Sequence, residues 1–355
     1  MQLPQLRLDV SCCFHSEWNR QAWTDTDSAC SHTLPAQLKG LPQLSDYELA
    51  QHQELGRGFY GCVTLASWHG RLVAIKELLG TDSCSSWTSH PSVNDIQGRG
   101  GSSSTSTSDG SVASMLSEAS KLAELQHPDH VVALLGTVVE SGSCALVMEH
   151  MPSGSLRSAL QHLFACGWDE QSCDSRLRFK TAVALAAAKG MQHVHRCGYV
   201  HLDLKLENLL CDVRDPLCPV VKVSDVGLCE RLQDGRMAGG TRGMLACMAP
   251  ELFCTQGDGS AAESAVGITA AADVYSFGIC LIEIWTMCSS PLIPPELSVA
   301  EVKASLLTGS FEPQVPMDMH PHWAALVHSC LQREPASRPS FARLAQQLQQ
   351  LQQNT

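Results

Sequence analysis

Strand-like and helical patterns are segregated along this chain, and their order limits the folds open to it. Residues 47–76 read as strands, with Gly56, Gly58, Gly61 and Gly70 as turn points. A helical stripe of Met115, Leu116, Ala119, Leu122 and Leu125 follows, ended by His127-Pro128-Asp129. Strand-like runs return at 131–139 and 144–150. After Gly154 the pattern is mostly helical, at 156–164, 177–196, 273–287 and 341–353, with short strand-like runs at 208–211 and 220–223. A strand-rich front joined to a helix-rich back predicts an α+β fold of two lobes with a cleft between them.

Three stretches stand apart. Residues 1–45 lack clear periodicity and read as an extension. Residues 80–111 form a Ser/Thr/Gly tract that buries too little apolar surface to offset its ordering entropy, so a flexible surface loop is expected. A second Gly/Ala/Ser-rich insert spans about 255–268. No period of 20–50 residues recurs.

Charge and cysteine content exclude several function classes. A formal net charge of -12 over 355 residues argues against nucleic-acid binding, which wants a basic face. One nucleotide is still allowed, because a few cations and backbone amides suffice for it. The 17 cysteines are odd in number and scattered, which favours free thiols in a reducing compartment. Arg7, Asp9, Glu17, Arg20, Asp25 and Asp27 interrupt any apolar signal core. No run approaches the ~18 apolar residues of a membrane span. A soluble, cytoplasmic protein is expected.

Chemistry concentrates in Val200-His201-Leu202-Asp203-Leu204-Lys205-Leu206-Glu207-Asn208. A carboxylate, an ammonium and an amide share one loop at the spacing used to move phosphate from ATP to a hydroxyl. Asp203 would take or orient the hydroxyl proton, Lys205 would lie near the phosphoryl group, and Asn208 would hold magnesium. Upstream, Gly56, Gly58, Gly61 and Val63 form G-x-G-x-x-G-x-V, whose glycines let the backbone approach phosphates. By itself this is equally a glycine-rich hairpin. No helix follows Gly61, which argues against a dinucleotide-binding turn.

Val73-Ala74-Ile75-Lys76 ends the next strand, and Lys76 is expected on the α- and β-phosphates with Glu118 as its ion-pair partner. Asp225-Val226-Gly227 follows a strand, making Asp225 the expected main magnesium ligand and Asn208 the second, since hard oxygen donors suit Mg2+. Met248-Ala249-Pro250-Glu251, Asp273-Val274-Tyr275-Ser276-Phe277-Gly278 and Arg338-Pro339-Ser340-Phe341 come later. Glu251 and Arg338 are expected to form a structural ion pair, and Asp273 to hold the Asp203 loop by hydrogen bonds.

Taken in order, these motifs resemble a eukaryotic protein kinase over about residues 44–351. The resemblance implies a kinase domain at 46–351. Its N-terminal antiparallel β lobe (46–148) would carry one regulatory helix, its C-terminal α lobe would span 152–351, and ATP would lie between them. Lys76, Glu118, Asp203 and Lys205 would be catalytic. Leu55, Gly56, Gly58, Gly61, Val63, Ala74, Lys76, Met148, Glu149, Met151 and Leu210 would surround ATP. Glu149 and Met151 would bond adenine through their backbone, Met148 would be the gatekeeper, and Val63, Ala74 and Leu210 would sandwich the base. His201, Val226, Leu122 and Leu134 would stack as a regulatory spine.

The motif style looks most like the tyrosine-kinase-like, Raf-related group, and Lys205 is the serine/threonine signature. The implied activity is Mg2+- and ATP-dependent phosphorylation of serine or threonine in protein substrates. A nucleotide-binding scaffold and a tyrosine-directed kinase are the alternatives.

Several positions depart from that pattern. Leu202 replaces an arginine that binds an activation-loop phosphate, and leucine makes no charge-assisted bonds, so weak dependence on such phosphorylation is expected. Val226 replaces a phenylalanine and Cys247 a common aromatic. Met244 stands where a threonine hydroxyl usually bonds the catalytic aspartate and lysine, with Thr241 three residues early. Cys62 and Cys229 read as small core-like residues rather than redox switches. The leucine–glutamine stretch at the end reads as a last helix, too short for a coiled coil.

Overall fold

In a computed structural model of the chain, the strand-like front folds into one antiparallel sheet. Its strands are β1 (Leu49–Gly58), β2 (Gly61–Trp68), β3 (Arg71–Glu77), β4 (Leu134–Glu140) and β5 (Ser143–Glu149), in the order β1-β2-β3-β5-β4. The structure describes residues 43–44, 49–58, 61–77, 107–140, 143–233, 245–252, 268–290, 298–308 and 313–354. Nearly all of the expected extension, most of the Ser/Thr/Gly tract and almost all of the second insert lie outside the described residues.

His69 and Gly70 join β2 to β3 with φ of 48° and 74°, the left-handed two-residue turn whose twist suits a hairpin. Strand alternation then divides β3 between two faces. Val73 and Ile75 enter an apolar cluster with Ala66, Val138, Ala145 and Val147. Ala74 and Lys76 take the opposite face, where Lys76 stands opposite Val63 and Leu146, and Ala74 opposite Leu65 and Met148.

Helix α1 (Thr107–Leu125) buries Met115, Ala119, Leu122 and Leu125 along one stripe. Each of the larger side chains contributes about 1.5–3 kcal/mol on burial. The helix begins five residues inside the stretch expected as a loop. Its first four amides need no intrahelical acceptor, so short polar residues are tolerated ahead of the apolar stripe.

The helical part comprises α2 (Leu156–Ala165), α3 (Cys173–Arg196), α4 (Ala271–Trp285), α5 (Val299–Thr308), α6 (Pro321–Cys330) and α7 (Phe341–Gln353). Ser155, Ser172 and Ser340 cap α2, α3 and α7, each accepting from the amide three residues on. Helix α4 is buried on nearly every side. Gly278 allows its closest approach, since a Cβ there would lie 2.8 Å from Cys330 Cβ and 2.9 Å from Leu331 Cδ2. Phe277 meets Phe341 of α7 edge-on at 5.2 Å, so the leucine–glutamine stretch is a packed terminal helix.

Two short antiparallel pairs lie between α3 and α4. β6 (Tyr199–Val200) pairs with β9 (Glu230–Arg231), and β7 (Leu209–Asp212) with β8 (Val220–Val223). Gly190 of α3 seats β8, because a Cβ there would lie 2.8 Å from Val223 Cγ2. Val223 also exchanges backbone bonds of 2.9 Å with His130 and Val132, which ties the segment before β4 to β8. The arrangement is the two-lobed α+β fold expected.

Candidate active site

The loop between β6 and β7 is held from beneath by α4. Asp273 Oδ2 accepts from the His201 amide at 2.7 Å and Oδ1 from the Leu202 amide at 2.9 Å. His195 Nε2 donates to the same carboxylate at 2.8 Å. Burial alone would push the Asp273 carboxyl up, but His195 and the His201 amide outweigh it and hold it below the usual carboxylate range. This clasp forces Leu202 to φ 66°, a left-handed conformation unusual for a branched residue.

Beyond the clasp, three side chains converge. Lys205 Nζ donates to Asp203 Oδ2 at 2.7 Å, and Asn208 Nδ2 to the same oxygen at 2.9 Å and to Asp203 O at 2.8 Å. Burial would lower the Lys205 ammonium, but its bond to Asp203 and the surrounding carboxylates raise it instead. His201 completes the loop: its Nδ1 accepts from the Asp203 amide at 3.3 Å, and its Nε2 donates to Ser224 O at 3.1 Å.

A second group forms around Lys76. Its Nζ lies 2.7 Å and 2.9 Å from the Glu118 oxygens and 3.0 Å from Asp225 Oδ1. Burial would lower this ammonium; Glu118 and Asp225 outweigh burial and raise it, so Lys76 stays charged. Gly227 lies against this pair, since a Cβ there would stand in ordinary contact with Glu118 Oε2 at 3.4 Å and Asp225 Oδ1 at 3.7 Å. Ser224 joins the two groups, its amide and hydroxyl both donating to Asn208 O at 2.9 Å. Asp225 and Asn208 therefore come from neighbouring backbones.

Other expected residues fall as follows. Val63, Ala74, Lys76 and Met148 share one face of the sheet by register. Met151 is buried, Leu210 lies in β7, and Leu55 and Gly56 lie exposed in β1, Leu55 at 43%. Gly58 pairs with Gly61 at the hairpin end. His201, Val226, Leu122 and Leu134 are all fully buried. Arg338 pairs with Glu251 at 2.6 Å and 2.9 Å and also bonds the carbonyls of Ala271, Gln332 and Arg333. Cys62 and Cys229 are buried, and burial pushes both thiols up. Thr241 and Met244 lie outside the described residues.

Sequence reading missed several contacts around this centre. Glu149 turns its carboxylate to the Ala133 amide at 2.8 Å and to Lys222 Nζ at 2.7 Å and 2.8 Å. Lys121 donates to Gly227 O at 2.8 Å, and Glu124 Oε2 accepts from Tyr199 Oη at 2.7 Å and from Arg231 at 2.9 Å. Lys222 carried a readable signal: a lysine inside a Val-Val-Lys-Val strand needs a partner if buried.

A loop presenting a paired carboxylate and ammonium, facing a buried lysine held between two acids, defines a phosphotransferase-like centre. The family model for protein tyrosine and serine/threonine kinases matches residues 102–348, and the chain belongs to that family. It is similar to the serine/threonine-protein kinase CTR1 of Arabidopsis thaliana, 30% identical over 84% of this chain and 31% of that protein. It is also similar to the probable serine/threonine-protein kinase SIS8 of Arabidopsis thaliana, 29% identical over 86% and 25%. A third relative, the dual specificity protein kinase splA of Dictyostelium discoideum, is 29% identical over 88% and 12%. The chain thus spans a third or less of the length of each of these relatives. Among the described residues no helix is long and apolar enough to cross a membrane.

Proposed function

We propose that this chain is a protein kinase that uses Mg2+ and ATP to phosphorylate serine or threonine in protein substrates. Residues 46–351 would be its kinase domain, in the Raf-related, tyrosine-kinase-like style. The observation that carries the reading is the single carboxylate oxygen of Asp203 that accepts from both Lys205 and Asn208. That arrangement fixes one rotamer of a buried acid beside a cation, which a binding module has no chemical need to do.

In this reading Asp203 orients the substrate hydroxyl and takes its proton, while Lys205 opposes charge on the transferred phosphoryl group. Lys76, kept charged between Glu118 and Asp225, binds the α- and β-phosphates. The donor set suits a divalent metal. Asn208 spends its Nδ2 on Asp203, leaving the oxygen end of the amide for another partner, and the Asp225 side chain is 26% exposed. Bound there, Mg2+ would neutralise phosphate charge. Glu149 commits its side chain to Ala133 and Lys222 and its amide to Ala133 O, and the Met151 carbonyl accepts from the Gly154 amide. In this reading the Glu149 carbonyl and the Met151 amide would bond adenine, between Val63, Ala74 and Leu210. The twelve described cysteines are all free, which fits a reducing, cytoplasmic setting.

Transfer of radiolabelled γ-phosphate to a generic protein substrate tests the reading. Wild type should label it and Asp203→Asn should not, with phosphoserine or phosphothreonine in the hydrolysate. Equal counts from both proteins, with ATP still bound, would mean a nucleotide-binding scaffold instead. Phosphotyrosine alone would mean the tyrosine-directed alternative.

A further inference from the structure

We propose that Arg157 is a positioning residue for this phosphoryl transfer, an inference that rests on the reading above. It carries a second grip of α4 on the loop that bears Asp203 and Asn208. The first grip is direct, through Asp273 on the amides of His201 and Leu202. Ten residues further along α4 stands Glu283, its side chain only 2% exposed. Ten residues of helix span about 15 Å, so the same helix carries acids near both ends of the loop.

Among the described residues the Glu283 carboxylate has its ion pair with Arg157 of α2, which reaches from it to the loop. Its Nη2 donates to Glu283 Oε1, and its Nε pairs with Glu207 Oε1 at 2.6 Å. Glu207 sits in the 3-10 turn Leu206–Asn208, closed by the Asn208 amide on Lys205 O at 3.0 Å. Fixing Glu207 therefore fixes the turn whose neighbouring side chains, Lys205 and Asn208, meet Asp203.

A stability role alone would make a different demand. A buried Glu283 needs a counter-charge, and that need disappears when both charges are removed. The positioning role does not disappear, because Glu207 still loses its tether. The double variant Arg157→Met/Glu283→Gln separates the two, with Arg157→Met and Glu207→Gln beside it and Asp203→Asn as the inactive reference.

The double variant should melt within about 3 °C of wild type, well above Arg157→Met. Its kcat should still fall about tenfold or more with KM for ATP within about twofold, and Glu207→Gln should show the same split. Amides at 205–209 should exchange hydrogen faster in the double variant than in wild type. A double variant with wild-type kcat and unchanged exchange at these amides overturns the inference. Wild type no more active than Asp203→Asn would instead defeat the kinase reading, and the exchange rates would still decide whether Arg157 holds the turn.

Discussion

Leu202 and Cys247 are buried in one apolar cluster, together with Met248, Ala249, Leu252 and Tyr275. The position where an arginine would receive a phosphate is instead a hydrophobic joint between the Asp203 loop and residues 247–252. Leu202 holds a left-handed backbone there, at a cost of about 1–2 kcal/mol, and burial together with the Asp273 clasp offsets it. Leu202→Arg should bury an unpaired guanidinium and lose about 3 kcal/mol or more in urea unfolding. Thr241→Ala should keep most of the activity. Loss of activity in Thr241→Ala with recovery in Thr241→Glu would show that a phosphate is needed after all.

Lys76 lies between two carboxylates, so its loss has two separable effects. Lys76→Met leaves Glu118 buried without a counter-charge and should cost about 3–5 kcal/mol in stability. Adding Glu118→Gln should restore most of that stability by removing the buried charge. Phosphoryl transfer should stay at least about a hundredfold down in both variants, because neither presents a cation to the phosphates. Thermal melts beside steady-state rates distinguish the effects.

What the sequence revealed and what it hid differ in kind. Asp203, Lys205 and Asn208 lie within six residues, so their meeting is nearly dictated by one loop. Glu118 was legible because a glutamate on the buried stripe of a helix needs a cation, and Lys76 ends an apolar strand. By contrast, Glu124 meets Tyr199 and Arg231 across 75 and 107 positions. Each of these three residues reads as ordinary surface until β6 and β9 pair beneath the end of α1. The Arg157–Glu283 contact spans 126 positions, and an apolar helix such as α4 gives no sign that one of its two acids is a distant anchor.

The Glu124 contacts carry their own consequence. Tyr199 Oη donates to a carboxylate on the same helix that presents Glu118, and Lys121 between them bonds Gly227 O. Tyr199→Phe removes a charge-assisted bond worth about 1.5–3 kcal/mol while keeping the ring that Arg231 covers at 5.1 Å. If this bond helps keep α1 seated, KM for ATP should rise several-fold with a smaller fall in kcat, since Lys76 loses its fixed partner. An unchanged KM in Tyr199→Phe, with only a lower melting temperature, would confine Tyr199 to stability.

Glu283 predicts a pH signature of definite sign. Burial pushes its carboxyl up to about 7 from the ordinary 4.5, against the opposing pull of Arg157, with Glu207 adding to the rise. Between those values the folded chain binds more protons at this site than the unfolded chain, so the site's contribution to stability falls as pH rises. The change amounts to about 3 kcal/mol at roughly 1.4 kcal/mol per pKa unit. His127, His130 and His150, partly buried and all held below their usual range by that burial, act in the opposite direction over part of this window. Asp273, held low, adds its slope only under more acidic conditions. The informative quantity is therefore the difference between Glu283→Gln and wild type, in which those groups cancel. Glutamine mimics the protonated acid, so the two proteins should unfold at similar urea concentrations at pH 5. By pH 8 the variant should be the more stable one. A difference that stays flat across that range would mean that Glu283 is ionised throughout and that Arg157 fully compensates its burial.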